Sequence, residues 1–322
     1  MKKRSKLGTL LVIIGIIGLV YVYFNDGNSP LDGMKSFFTS EINDQQTADI
    51  SKISNVNIKS DILDVQVVHG NQSEAVITVQ GLASKSITSN LNLTVNPKGD
   101  TLEINLKGKD KSFFGFDWNN VRMTVELPEK DWNILTVATE NGDIKIDQLV
   151  FNDVNLQSDY GDINTDQFTA LTSLTANVNS GDLHFYKLTG KNVDLKVDGD
   201  VYFKEFKVDQ IDFDVDRGDV AFIDGISQIH GVVGKGDITI KTDDLLQDTE
   251  VETDDGDIYI QLKNKPSSLA VKMITGSGDT HIGKDGFIYE EGSAGSKELK
   301  GAFGDGHIKL SLQSNSGDIA LK

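Results

Sequence analysis

Apolar and polar residues alternate along most of this chain, in short runs separated by a repeated Gly-Asp pair. After most pairs the second and fourth positions following the glycine are apolar and the third is mostly polar, as in the run Gly-Asp-Ile-Lys-Ile at 142–146. A second alternating run often precedes the pair, for example Val193, Leu195 and Val197. Alternation with a period of two is typical of a β-strand that buries one face. Each repeat is therefore predicted to contain a strand, a Gly-Asp turn, a second strand and another turn.

From residue 142 onward the Gly-Asp pair recurs at a nearly constant interval. Successive glycines are separated by 19, 20, 18, 19, 18, 20, 22, 26 and 13 residues. Glycine tolerates positive φ, and aspartate can bond its own backbone a residue or two later, so each aspartate is expected to cap its own turn. A tenth pair, Gly304-Asp305, belongs to the same series. The other pairs are assigned as structural turns: Gly142 and Asp143, Gly161 and Asp162, Gly181 and Asp182, Gly199 and Asp200, Gly218 and Asp219, Gly236 and Asp237, Gly256 and Asp257, Gly278 and Asp279, Gly317 and Asp318.

A period near twenty residues is the mark of a stacked repeat protein. Ordinary hairpins would satisfy one such unit, but they would not need the same register in every unit. In a parallel solenoid, equivalent residues of successive coils lie about 4.8 Å apart. Phe185, Phe203 and Phe222 occupy one position of three consecutive repeats, so they are expected to stack inside the coils. The predicted fold class is all-β, a β-solenoid (a parallel-type β-helix) with about 19 residues per coil.

The regular repeat covers only part of the chain. Residues 51–130 alternate less cleanly and are predicted to form an N-terminal β cap, whereas residues 131–322 form the solenoid. Within the solenoid, residues 283–302 are rich in Gly, Ser, Glu and Lys and break the period. This part is predicted to be an irregular C-terminal segment.

The N-terminus has the pattern of a membrane anchor. Four basic residues lie within the first six positions and precede Leu7–Phe24, 18 residues without a charge. A helix of that length spans about 27 Å, enough for a bilayer core, and the basic residues place its start in the cytoplasm. Residues 1–24 are thus predicted to be a cytoplasmic tip and a single transmembrane helix in contact with the lipid bilayer. Residues 25–50 are predicted to be a spacer, followed by an extracellular C-terminal domain.

A cleaved signal peptide is the alternative for the same apolar run. No small-x-small cleavage motif follows it, and the chain has no cysteine that could carry a lipid anchor. The retained anchor is therefore the favoured interpretation, with the protein in the cell membrane.

Beyond residues 1–24 the chain is strongly acidic. It carries 27 basic and 49 acidic residues there, a formal charge of −22. Such a charge excludes nucleic acid as a partner and argues against electrostatic docking of the outer part onto an anionic bilayer.

Several motifs together resemble a known family. A strand ends in Leu127-Pro128, the run Asn-Gly-Asp-Ile-Lys-Ile follows at 141–146, and serial Gly-Asp units continue from there. With the N-terminal anchor, this combination resembles the bacterial putative-adhesin domain family of unknown function, which includes LiaG-like membrane-anchored proteins of cell-envelope stress operons. The resemblance covers roughly residues 50–322. It implies a β-solenoid on the outer face of the membrane with a part in sensing or resisting envelope damage, and it supplies no catalytic residues.

The rows of aspartate and a few histidines are the candidates for metal binding. Stacked carboxylates repel one another, and a cation would relieve this repulsion, but the nine-residue glycine-rich repeat of calcium-binding β-rolls is absent. His184, His281 and His307 each follow a repeat glycine by three positions, and the last two belong to neighbouring units. Stacked imidazoles suit a metal or a pH response, but a third ligand is missing. The prediction is no metal and no cofactor.

The tripeptide Arg217-Gly218-Asp219 matches an integrin-binding motif. It is also simply the repeated turn with arginine at a variable position. The turn is the favoured interpretation.

These observations favour a non-enzymatic, membrane-anchored extracytoplasmic protein of the bacterial cell envelope that presents a binding surface. No Ser-His-Asp signature, metal-ligand cluster or phosphate loop is found in the sequence, so no catalytic residue is assigned. The expected partner is an envelope protein or a cell-wall polymer. One alternative is a regulatory sensor of cell-envelope stress that acts through a membrane partner. Another is a surface-glycan-active enzyme, because carboxylates are abundant.

Overall fold

The computed structural model describes residues 39–84, 89–108 and 120–322, and these residues form strands and no helix. The predicted anchor at residues 7–24 lies outside the described residues. Across the described ranges, no helix has the length and apolar character needed to cross a membrane. The strands are β1 (Thr39–Ala48), β2 (Asn55–Ser60), β3 (Asp64–Gly70), β4 (Ala75–Ser84), β5 (Asn92–Lys98), β6 (Thr101–Lys107), β7 (Arg122–Pro128), β8 (Trp132–Asn141), β9 (Ile144–Asp147), β10 (Val150–Tyr160), β11 (Ile163–Asp166), β12 (Thr169–Val178), β13 (Leu183–Tyr186), β14 (Thr189–Val197), β15 (Val201–Lys204), β16 (Lys207–Arg217), β17 (Val220–Ile223), β18 (Ile226–Lys235), β19 (Ile238–Thr242), β20 (Thr249–Asp255), β21 (Ile258–Leu262), β22 (Leu269–Ser277), β23 (Thr280–Ile282), β24 (Ile288–Glu291), β25 (Glu298–Phe303), β26 (Ile308–Ser316) and β27 (Ile319–Leu321).

The strands form two long sheets that face each other. The short-strand sheet has the order β1-β4-β7-β3-β9-β11-β13-β15-β17-β19-β21-β27-β23. The long-strand sheet has the order β24-β25-β22-β26-β20-β18-β16-β14-β12-β10-β8-β2-β6-β5. At about 4.8 Å between strands, each sheet extends for about 60 Å. The prediction of an all-β fold with long parallel sheets, consistent with a β-solenoid, is confirmed for the described residues.

Equivalent residues of successive coils pair in register, and their inward side chains form columns between the sheets. Phe185, Phe203 and Phe222 are fully or almost fully buried, with ring centroids 4.7 and 5.2 Å apart along the column. Phe213 of the long-strand sheet reaches across to Phe222, with a centroid distance of 5.6 Å. The predicted internal aromatic ladder is therefore confirmed. Burial of each such side chain stabilises the fold by about 1.5–3 kcal/mol.

The order of the coils departs from the order of the chain at both ends. Strands β2 and β3 pair with β8 and β9 on one side and with β6 and β7 on the other, so the first coil is not the outermost one. At the C-terminus, β26 and β27 lie between β20–β21 and β22–β23. The last coil of the sequence is thus an internal layer.

Gly304-Asp305 does not form a coil turn, and the prediction that it belongs to the series is wrong. It lies in the turn between β25 and β26. Gly304 has φ of 60°, and a β-carbon there would lie 2.0 Å from the carbonyl oxygen of Ser267. No strand begins two residues after it, since β26 starts at Ile308. The pair has the local sequence of a coil turn but serves to reverse the chain after an antiparallel strand.

Two segments predicted to be irregular contain strands. Residues 39–48, within the predicted spacer 25–50, form β1, which pairs with β4 over its full length in antiparallel register. Its side chains are mostly polar because it is an edge strand, so the backbone pairing leaves no alternating pattern to detect. Within the predicted irregular segment 283–302, β24 and most of β25 are strands, and β25 buries Leu299 and Phe303 against β22.

Candidate functional site

The Gly-Asp turns place aspartates in one continuous column along the edge between the two sheets. In each case the Oδ1 atom of one aspartate accepts a hydrogen bond from the backbone N–H of the aspartate on the next coil, at 2.7 to 3.0 Å. The expectation that each aspartate caps its own turn is therefore wrong, because each one caps the turn of its neighbour. In spatial order this aspartate ladder consists of Asp64, Asp143, Asp162, Asp182, Asp200, Asp219, Asp237, Asp257, Asp318 and Asp279.

The glycines of these turns allow the coils to approach closely. Gly199 has φ of 156°, and a β-carbon there would lie 2.0 Å from the carbonyl oxygen of Gly181. The structure places the glycines of all nine assigned turns in this column, in the order 142, 161, 181, 199, 218, 236, 256, 317 and 278. The ladder begins one coil earlier, where Leu63-Asp64 takes the place of Gly-Asp.

Basic residues mark both ends of the aspartate ladder. Arg122 is the register partner of Asp64 at one end, and Lys297 Nζ lies 3.9 Å from Asp279 Oδ1 at the other. Inside the ladder, burial raises the pKa of the Asp143 carboxyl. The neighbouring carboxylates of Asp64 and Asp162 raise this pKa further, and the hydrogen bond from the Asp162 N–H opposes them. Repulsion between carboxylates on neighbouring coils thus destabilises the ladder, and the hydrogen bonds between the coils oppose this repulsion.

The carboxylates of the ladder are engaged in contacts between coils. Among the described residues, no group of three or more His, Asp or Glu side chains is arranged to hold a metal ion. One oxygen of every carboxylate on the ladder except that of the terminal Asp279 already accepts a hydrogen bond from the next coil. The aspartates therefore act as connections between coils.

The predicted histidine positions do not come together. His281 lies on β23 beside Ala320, because the last coil is inserted next to β23. His307 lies in the turn before β26, with Nε2 2.8 Å from Asp305 Oδ2. The stack of His281 and His307 that the sequence suggested is therefore wrong. His184 is exposed on β13 and contacts Tyr202 instead.

Both charged residues of the Arg217-Gly218-Asp219 tripeptide are engaged with neighbouring coils. The Arg217 guanidinium binds the Asp198 carboxylate with two hydrogen bonds, one of them Nε to Oδ1 at 3.0 Å. Asp219 accepts the ladder hydrogen bond from Asp237. The tripeptide is accounted for by the coil-to-coil contacts.

A second surface feature lies on the outward face of the short-strand sheet. His184 and Tyr186 project from β13, and Tyr202 and Lys204 project from the adjacent strand β15. In the register of the sheet, His184 stands beside Tyr202, and Tyr186 beside Lys204. We call these four residues the aromatic patch. They occupy the two outward positions of two neighbouring coils, where most other coils carry smaller or charged side chains.

The side chains of the aromatic patch are held by one another and by their neighbours. The rings of His184 and Tyr202 have centroids 6.1 Å apart. The Tyr186 hydroxyl donates to Glu205 Oε1 at 3.2 Å, while the Nζ atoms of Lys187 and Lys204 lie 4.7 and 5.9 Å from the centre of its ring. Tyr186 is thus fixed by a hydrogen bond and two cation–π contacts.

The aromatic patch borders an open depression of about 450 Å³. Asn164 on β11 forms a further part of its wall, and the buried residues Thr165 and Phe185 form its floor. The depression therefore combines an amide, an imidazole, an ammonium group and two phenol rings on one flat face.

The two outward faces differ in charge. On strands β9 to β21 of the short-strand sheet, the charged outward residues are Lys145, Asp147, Asp166, Lys204 and Lys241. On strands β14 to β20 of the long-strand sheet, nine acidic and five basic residues are at least partly exposed: Asp194, Asp209, Asp212, Asp214, Asp216, Glu250, Glu252, Asp254 and Asp255 against Lys191, Lys196, Lys207, Arg217 and Lys235. The face with the aromatic patch is thus the less acidic one in a chain of net charge −18.

The sequence prediction did not include the aromatic patch. A signal was present, since Tyr186 lies five positions after its repeat glycine and Tyr202 three positions after the next one. Both positions point outward, where aromatic side chains are unexpected. The two tyrosines become neighbours only through the coil register, which shifts Tyr202 beside His184.

Several solved structures are similar to this chain at low sequence identity. A putative adhesin from Bacteroides fragilis is 15% identical with a TM-score of 0.48, covering 69% of this chain and 97% of its own. A putative adhesin from Parabacteroides merdae is 11% identical with a TM-score of 0.44, covering 87% and 96%. A putative lipid binding protein from Parabacteroides distasonis is 12% identical with a TM-score of 0.37, covering 87% and 97%. With TM-scores below 0.5, these likenesses carry no argument about function.

No curated protein matches the chain. The sequence signature of the Toastrack DUF4097 family, in contrast, matches residues 53–322, which include all coils of the two sheets from β2 onward. This match confirms the predicted resemblance to an adhesin-like domain family of unknown function. The chain belongs to the Toastrack DUF4097 family.

Proposed function

We propose that this protein is a non-enzymatic, membrane-anchored component of the bacterial cell envelope whose solenoid lies outside the membrane and binds another envelope component. The observation that carries the proposal is the aromatic patch beside its depression on the short-strand face. Exposed aromatic residues held in place by neighbours are typical of binding surfaces. The uncharged run 7–24 after a basic N-terminus supports the anchor, and on this basis we place the chain with the LiaG-like members of the family.

A binding role is favoured over catalysis by the chemistry of the patch. The Tyr186 hydroxyl donates to Glu205 Oε1 and its ring is flanked by the Lys187 and Lys204 ammonium groups, so this phenol–carboxylate pair holds the ring in place. Within the described residues, the acidic groups on the turn edge are used between coils. The geometry therefore supplies fixed contacts for a ligand, and on this ground we infer binding rather than catalysis.

The first experiment tests the topology. The full chain is expressed in a Gram-positive host with one epitope tag at each end, and protease is added to intact cells. The proposal predicts loss of the C-terminal tag and protection of the N-terminal tag. Protection of both tags, or release of the whole chain into the medium, would contradict membrane anchorage with the solenoid outside.

The second experiment tests binding. The full chain in detergent micelles is mixed with isolated, untreated cell envelopes, and the sedimented fraction is measured. Tyr202→Ala is expected to lower the bound fraction strongly. The matched control is Tyr259→Ala, another tyrosine on an outward position of the same sheet but outside the aromatic patch. Equal binding by all three proteins would place the binding surface elsewhere.

A further inference from the structure

We propose that the aromatic patch is a binding site for a linear glycan that carries negative charge. This inference rests on the proposed function, because it names the ligand class for the same face. The patch offers three kinds of contact side by side: ring faces, hydrogen-bond donors and a positive charge.

The ring faces suit the apolar side of a pyranose. Sugar rings present C–H groups on one face and hydroxyl groups at the rim, so they pack against aromatic side chains that have an apolar body and a polar edge. Tyr186 and Tyr202 are partly exposed on adjacent strands, and both line the depression. The Nζ atoms of Lys187 and Lys204 already lie over the Tyr186 ring, so Tyr202 offers the ring face for the sugar, and Tyr186, held by Glu205, forms a fixed edge beside it.

The polar groups around the rings suit the rim of the same sugar. Asn164 offers amide donors and an acceptor, His184 offers an imidazole, and Lys204 offers three donors with a positive charge. A carboxylate on the sugar would pair with the Lys204 ammonium. The depression is open to solvent, so a sugar chain could lie across it and continue along the face on either side.

The charge distribution favours a glycan with acidic groups. The chain as a whole repels polyanions, yet beside the aromatic patch the ammonium groups of Lys187 and Lys204 balance the carboxylates of Glu205 and Asp166, whereas the long-strand face carries an excess of acids. Electrostatic complementarity of this kind selects partners and aligns them. An anionic polymer is therefore expected to find this face rather than the acidic long-strand face.

A peptide that binds by adding a β-strand fits the aromatic patch less well than a glycan does. Both β13 and β15 are internal strands, with hydrogen-bonded neighbours on each side. Their backbone groups are unavailable for strand addition, which recognises exposed sheet edges. The face offers only side chains, as the binding of a sugar chain requires.

The test uses isothermal titration of the full chain with a galacturonic acid hexamer. Two comparison ligands are a neutral galactose hexamer and an inorganic polyphosphate of similar charge. The proposal predicts that the acidic hexamer binds tightest. Tyr202→Ala is expected to weaken its binding at least about tenfold, which corresponds to about 1.4 kcal/mol. Lys204→Gln should weaken the acidic hexamer and leave the neutral hexamer nearly unchanged, while Tyr259→Ala should stay within about twofold of the parent.

Three results would overturn the glycan inference. One is the absence of binding for both hexamers at millimolar concentration. Another is equal binding of polyphosphate that Tyr202→Ala does not affect, because this would show attraction by charge alone. The third is binding to envelopes that disappears after protease treatment of those envelopes, which would identify a protein partner. In the first and third cases, sedimentation with untreated envelopes still tests the proposed function separately. Melting curves of the variants confirm that each one folds.

Discussion

Single side chains in this protein act mainly on the neighbouring coil rather than on their own turn. Asp182 shows the pattern, since it accepts from Asp200 at 2.8 Å while its own N–H donates to Asp162 at 2.9 Å. The sequence indicated that aspartate belongs at these turns because its short polar side chain suits them. The sequence did not indicate that the aspartate would accept from the next coil rather than from its own turn. The partner lies about twenty residues away, and a local sequence pattern carries no information about it.

Thr165 is an exception in its column, and its replacement should stabilise the protein. It lies in register between Ile146 and Phe185, is only 4% exposed, and its hydroxyl has no hydrogen-bond partner. Because an unpaired buried hydroxyl costs free energy, Thr165→Val should raise the free energy of unfolding by about 1 kcal/mol. The measurement is the midpoint of urea unfolding.

Thr139 provides the matched control. It is 3% exposed, but its hydroxyl donates to the Gly142 carbonyl at 2.9 Å and contacts Ser158. Thr139→Val should therefore lower the free energy of unfolding by about 1 kcal/mol. The same sign of change in both variants would refute the role assigned to the unpaired hydroxyl.

Asp143 should make the stability of the ladder depend on pH. Its pKa in the folded protein is raised above the ordinary value of 3.8 by burial and by its neighbours' charge. The folded state therefore holds the proton more tightly than the unfolded state, and stability falls as the pH rises above 3.8 and through the folded pKa. Below that window both states are protonated and the penalty is absent.

Asp143→Asn removes this penalty but keeps an oxygen that can accept from the Asp162 N–H. The melting temperature of the variant should exceed that of the parent at pH 7, and the difference should shrink as the pH approaches 4. A constant difference across this range would mean that the charge of Asp143 is not the cause.

Among the elements, the turn column sets how closely the coils can stack. Gly199→Ala places a methyl group 2.0 Å from the Gly181 carbonyl oxygen in a backbone conformation with φ of 156°. The expected loss is about 2 kcal/mol or more, measured by thermal unfolding. Gly99→Ala is the control. Gly99 also has positive φ, but a β-carbon added there would meet no atom within 4 Å. This variant should lose only about 1 kcal/mol. Similar losses in both would show that backbone conformation alone matters.

The regular strands were predictable, but the strands at the ends were not. Strands such as β13 and β15 bury every second residue, so alternation reveals them. In contrast, β1 lies at a sheet edge with polar side chains, and all four residues of β24 are exposed. Such strands exist through backbone pairing with β4 and β25, which leaves no hydrophobic pattern in the sequence.

At the level of the molecule, the columns were predictable but the order of the layers was not. A constant period implies that coils stack, yet it does not say which coil adjoins which. The insertion of β26–β27 beside β20–β21 follows from the antiparallel excursion of β24 and β25, which moves the chain past the end of the stack before it returns. The aromatic patch, in contrast, lies on β13 and β15, which are consecutive in the chain and in the sheet, so the constant period was enough to place its four residues side by side.

The most direct test of this arrangement is a set of engineered disulfides in the full chain, which has no cysteine of its own. Neighbouring strands bring paired α-carbons about 4.8 Å apart, within the reach of a disulfide, whereas strands two layers apart are about 9.6 Å away and beyond it. Tyr259 pairs with Ala320, and Ala320 pairs with His281. We predict that the double variant Tyr259→Cys with Ala320→Cys forms the disulfide on mild oxidation, and that Tyr259→Cys with His281→Cys does not. A disulfide in the second variant but not in the first would show that the coils stack in chain order, and the account of the columns given above would be wrong.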